Sequence, residues 1–170
     1  MTPIKLDTEN LDRLIQAAFP GPADEDIYQN GLCRAFAIGL DSFLRKRDPA
    51  IETRLLIAFH EGTFDHVALQ VPSLGASFDS RGSGAQEKWT AHRGEAVDWT
   101  EDTNLRCRIT GGRLNSVFRT DWRHEAGKVE KFLETALPSL GGETSTLPDI
   151  AHVPACVVAD LRESSTRLQR

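Results

Sequence analysis

Three side chains draw attention for what they could do together. Cys33 follows Gln29-Asn30-Gly31-Leu32 and begins a run in which Cys33, Phe36, Ala37, Leu40, Phe43 and Leu44 recur at helical spacing. A thiol in the first turn of a helix meets backbone N–H groups that lack intrahelical acceptors, and the positive helix end favours an anion there. His66 lies near the start of the segment from Asp65 to Val71. Imidazole is the group that takes a thiol proton and returns it to a leaving amine near neutral pH. Asp79 ends the next segment and would fix the imidazole tautomer and stabilise its charged form. A nucleophile, a base and an orienter in this order point to attack on an amide or thioester carbonyl, a thioester on Cys33, and transfer to water or an amine. Backbone N–H groups at the helix start would hold the oxyanion. Gln29, Asn30 and Arg81 are candidates for oxyanion or supporting roles.

These residues need elements to position them. A leading helix is expected from Leu11, Leu14, Ile15, Ala18 and Phe19, capped by Asp7 or Thr8 and stopped by Pro20-Gly21-Pro22. The Cys33 helix carries Arg34, Asp41, Ser42, Arg45 and Lys46 on its polar side and closes at Asp48-Pro49. Strands are expected from Thr53 to Phe59, after a Glu61-Gly62 turn from Asp65 to Val71, and from Leu74 to Asp79. A two-residue loop at Pro72-Ser73 would pair residues whose numbers sum to 145, and a four-residue loop, Pro72 to Gly75, would shift that sum to 147. In both registers His66 and Asp79 share one face and the large apolar residues share the other. Ala68 and Ser77 are small residues on the His66 face, which suggests that the Cys33 helix approaches there.

Beyond Asp79, Ser80-Arg81-Gly82-Ser83-Gly84 reads as a flexible loop, and the stretch from 83 to 104, with Trp89 and Trp99, has no clear period. Leu105, Cys107 and Ile109 alternate as a half-exposed strand. Asp121 to Leu137 is helical, with Trp122, Val129, Phe132, Leu133 and Ala136 on one side. A single domain over 1–140 is expected, followed by a linker and a C-terminal segment over 141–170. The fold class is α+β, with N-terminal helices packed on an antiparallel sheet.

The runs Gly31-Leu-Cys33-Arg-Ala-Phe36-Ala37, Asp65-His66-Val-Ala-Leu-Gln-Val71 and Ser77-Phe78-Asp79-Ser-Arg-Gly82 resemble the core of transglutaminase-like and papain-like cysteine proteins. The resemblance covers residues 29 to 82 and implies a papain-like fold, with Cys33 as nucleophile, His66 as base and Asp79 as its orienter. It also has departures. Arg34 stands where papain carries an aromatic residue after its cysteine, Gln29 is closer to the cysteine than the papain glutamine, and Ala68 stands where a transglutaminase carries Trp.

Each residue also has an ordinary reading. A free cysteine on an apolar helix face is commonly core, a strand histidine is commonly structural, and Asp before Ser-Arg-Gly suits a turn. Cys107 and Cys156 read as core. His60, His92, His124 and His152 show no metal-ligand spacing, so no metal is expected. Without a strand, glycine-rich loop and helix unit, no phosphate-binding loop and no cofactor is expected either. Trp89, Trp99 and Trp122 read first as packing residues and second as lining for a cleft.

Composition narrows the classes. In 170 residues, 20 Lys and Arg against 25 Asp and Glu give a net charge of −5, the wrong sign for a nucleic-acid binder. No apolar run approaches the roughly 18 residues of a membrane span. Three cysteines are too few for a disulfide scaffold, and the N-terminus lacks a signal-peptide pattern, so reduced thiols in a cytoplasm are expected, with signal-independent export left open. The expected partner is a peptide, protein or small amide substrate. The alternatives are a non-catalytic binding or structural domain of the same fold, and a toxin or effector that modifies a host protein by this chemistry.

Overall fold

The computed structural model describes residues 6–21, 27–29, 31–93, 97–101 and 122–140. Among the described residues, the helices α1 (Thr8–Ala18), α2 (Cys33–Arg47), α3 (Ala85–Arg93) and α4 (Trp122–Ala136) accompany a set of β-strands. The strands are β1 (Arg54–His60), β2 (Thr63–Val71), β3 (Ala76–Asp79), β4 (Gly82–Ser83) and β5 (Asp98–Glu101). They form one antiparallel sheet in the order β4-β3-β2-β1-β5. The chain is α+β. The expected strand over Leu105 to Ile109, Asn30, Cys107, Cys156 and the 141–170 segment lie outside the described residues.

The local chemistry explains most boundaries. Asp7 caps α1 by accepting the Asn10 N–H at 2.9 Å, and the helix ends at Phe19 before Pro20. The β1–β2 hairpin turns through Glu61 and Gly62, both at positive φ (49° and 73°), the twist that a two-residue hairpin loop requires. After β2 the chain makes one turn of 3-10 helix at Pro72–Leu74 and leaves it through Gly75 at φ 62°. Leu69 then pairs with Phe78 and Gln70 with Ser77, so the four-residue loop register is the one adopted.

The apolar face of the sheet, with Leu55, Ile57, Val67, Leu69, Val71 and Phe78, joins one core with α1, α2 and α4. Burying these large side chains is worth about 1.5–3 kcal/mol each, which outweighs any room that small residues leave on the other face. The helix carrying Cys33 therefore packs on the face opposite Ala68 and Ser77, contrary to the sequence expectation. That second face belongs to α3, whose Gln86 N–H donates to Ser77 Oγ at 2.9 Å. The expected loop at 80–84 is also different. It is a tight turn into β4, pinned by Asp12 of α1, which accepts the Ser83 N–H and hydroxyl at 2.6 Å each. Among the described residues, no helix is long and apolar enough to cross a membrane.

Candidate active site

His66 is fully buried, and Asp79 is 2% exposed. Strand parity brings them to one face, and the His66 Nε2 lies 3.2 Å from Asp79 Oδ2. Asp79 is held in turn by the Arg81 N–H, which donates to Oδ1 at 2.8 Å, and by the Arg81 guanidinium at 3.5 Å from Oδ2. Arg81 thus orients the carboxylate. Burial alone would raise the Asp79 pKa, but His66 and the Arg81 N–H hold it below its ordinary value of 3.8.

The other ring nitrogen faces a different situation. His66 Nδ1 is buried and makes no hydrogen bond of ordinary distance and angle to any of the described residues. Pairing between β2 and β3 spans only Leu69 to Val71 on β2, so His66 sits where β2 has lost its β3 neighbour. Cys33, the first residue of α2, interacts with the imidazole there even though the body of α2 packs on the opposite face. Burial alone would lower the His66 pKa. The hydrogen bond to Asp79 and the interaction with Cys33 reverse that, and raise it from 6.5 to about 9. The imidazole is therefore protonated at neutral pH. Among the described residues, no side chain caps the start of α2, whose first residue is Cys33. The thiol is 5% exposed.

The remaining predicted residues fall as follows. Gln29 is buried and donates its Nε2 to Ser80 Oγ at 2.8 Å, beside Asp79, while its Oε1 is buried with no hydrogen bond to a described residue. Arg34, expected on the polar side of its helix, is instead buried with its guanidinium 3.8 Å above the Phe64 ring.

Two aromatic residues that read first as packing lie against the histidine. Trp89 of α3 stacks on the His66 ring with centroids 4.1 Å apart and planes 12° from parallel, and Trp99 of β5 meets it edge-on at 6.4 Å. Asp65 accepts the Trp89 indole N–H at 2.8 Å and pairs with Arg93. Sequence reasoning missed this arrangement. Its signals were the acidic residue beside His66 and the Trp89/Arg93 spacing of one helical turn. No family model matches the chain, and neither a curated protein nor a solved structure matches it.

Proposed function

We propose that this protein is a cysteine-dependent acyl-transfer enzyme acting on an amide or thioester, of the papain-like or transglutaminase-like kind. The reading rests on one arrangement: a buried imidazole with Asp79 on Nε2 and Cys33 as the neighbour that interacts with the ring. With the thiol proton already resting on the His66 imidazolium, Cys33 Sγ attacks the carbonyl carbon, forming a tetrahedral oxyanion that backbone N–H groups at the start of α2 receive. Collapse breaks the bond to the leaving amine or thiol, which takes the proton from His66 and leaves a thioester on Cys33. Water or a second amine then attacks the thioester, with His66 as its base, and frees the thiol. Asp79 holds the imidazole in orientation throughout and stabilises its charged form. The substrate is a peptide, a protein side-chain amide or a small amide, and the thiol chemistry suits a reducing compartment.

A second reading is a non-catalytic domain in which Cys33 serves as core. The near-complete burial of the thiol favours it.

Iodoacetamide labelling across pH, with mass spectrometry to locate the modified cysteine, separates the two. The enzyme reading expects Cys33 to be alkylated first, to react faster in the native protein than in the denatured chain near neutral pH, and to slow by at least about tenfold in Asp79→Asn, where the base loses its charge partner. Cys33→Ala should abolish the label while changing stability by only about 1 kcal/mol. Native Cys33 that reacts more slowly than in the unfolded chain, with Asp79→Asn silent, would assign it to the core.

A further inference from the structure

Asp65 is next to His66 in sequence, and strict strand alternation would turn it toward the opposite face, among Val67 and the core. The β1–β2 ladder breaks that alternation. Ala58 pairs with His66 and Phe59 with Phe64, so Asp65 is the extra residue of a β-bulge. A bulge re-aims a side chain and leaves it without a cross-strand partner. Here the freed carboxylate reaches α3, where it accepts the Trp89 indole N–H at 2.8 Å and the Arg93 Nε–H at 2.8 Å, with a second Arg93 N–H on its other oxygen. Trp89 and Arg93 are one helical turn apart, so a single carboxylate clamps both. The indole so held lies flat on the His66 imidazole, 4.1 Å between centroids.

We propose that Asp65 is a positioning residue that fixes the His66 ring through Trp89. The proposal rests on the catalytic reading for its significance, although the geometry it concerns exists without it. An imidazole turns about its side-chain torsions, and the hydrogen bond of Nε2 to Asp79 alone leaves the ring free to tilt about that bond. The indole stacked on one face removes that freedom and aims Nδ1 in one direction. It also supplies a π-face to a ring that is charged at neutral pH. A free tryptophan would hold the stack less firmly. The indole N–H bound to Asp65 sets its tilt, and Arg93, 5.2 Å from the same ring, holds the carboxylate ionised and in place. Burial would raise the Asp65 pKa, but the hydrogen bonds from Arg93 and Trp89 outweigh it and lower the pKa, so the acceptor stays anionic across neutral pH. Among the described residues, the groups that meet the imidazole are Asp79 from β3 with Arg81 behind it, Cys33 from α2, Trp89 from α3 and the uncharged Trp99 from β5.

The test is imidazole 15N NMR of His66 with iodoacetamide rates at Cys33, in wild type, Asp65→Ala, Asp65→Asn and Trp89→Phe. Asp65→Ala should shift the His66 ring resonances and its titration midpoint, and slow Cys33 alkylation near neutral pH about tenfold, the equivalent of one buried hydrogen bond. Asp65→Asn, which keeps an acceptor for the indole, should restore the resonances and most of the rate. Trp89→Phe, which keeps an aromatic ring but has no N–H, should match Asp65→Ala, and it carries the test should Asp65→Ala fail to fold. The NMR readout is independent of whether Cys33 is a nucleophile. If His66 responds but alkylation at Cys33 is slow in every protein, the positioning role stands and the catalytic reading fails. Ring resonances and a titration midpoint unchanged in Asp65→Ala, or in Trp89→Phe, would overturn the proposal.

Discussion

A histidine with no exposure to solvent, charged at neutral pH, is expensive unless its partner is close and ionised. Asp79 supplies that partner, and the two titrations bear on stability with opposite signs. The His66 pKa is raised in the folded protein, so its contribution is present in full below about pH 6.5 and declines as the pH rises through about 9. The Asp79 pKa is lowered, so its contribution is present above the ordinary carboxylate value of 3.8 and is lost as acid protonates the folded form. Thermal unfolding from roughly pH 4 to pH 10 should therefore show a midpoint that falls on the alkaline side between those two values, in addition to the usual acid limb. In His66→Gln the alkaline decline should disappear. A wild-type midpoint that stays level between pH 6.5 and 9 would mean that the buried imidazolium does not form. At this scale the sequence was informative in its residue types, since Cys33, His66 and Asp79 each suggest their own chemistry. The surroundings of Asp65 and Trp89 were not legible, because a β-bulge without Gly or Pro leaves no mark in the residue pattern.

Among the elements, β1 to β3 and their turns were legible because period-two alternation and the Glu61-Gly62 and Pro72-to-Gly75 turns act over a few residues. β4 and β5, of two and four residues, are too short for a period to show, and two further matters were not legible either. The face that α2 covers depended on which side of the sheet buries more apolar area, and the small residues beside His66 suggested the other side. α3 has a polar average, with only Ala85 and Trp89 buried, so no period announces it. The α2–α4 contact supports a sharper prediction. A Cβ on Gly39 would lie 2.6 Å from the Ala126 carbonyl oxygen and 2.6 Å from Val129 Cβ, and the backbone atom has nowhere to yield. Gly39→Ala should destabilise by about 1–3 kcal/mol through overpacking, despite a helix propensity gain of about 1 kcal/mol. Gly127 in α4 has nothing within 4 Å of such a Cβ, so Gly127→Ala should stabilise by roughly 0.5–1 kcal/mol. Urea unfolding of the two variants checks both signs, and equal effects would contradict the close packing at Gly39.

At the level of the whole molecule, the α+β class followed from helices at the start and strands in the middle, whereas how the helices divide between the two faces of the sheet did not. The division sets how the site is put together. His66, Asp79, Arg81, Asp65, Trp89 and Arg93 lie in one continuous stretch, β1 to α3, joined by tight turns. Cys33 alone comes from α2, whose docking buries the long-range core. Contacts between near neighbours in sequence form before those that close long loops. We therefore predict a temporal order: the imidazole pocket matures while the cysteine is still an ordinary thiol, and heightened reactivity arrives only as α2 docks. Pulsed alkylation during refolding should show Cys33 acceleration in the last phase, after the tryptophan fluorescence change of the meander. If the two rose together in a single step, this order would be wrong. On the proposed catalytic reading, the predicted order makes reactivity a late-acquired property, so that a nascent or damaged chain carries no activated nucleophile until its tertiary structure is complete.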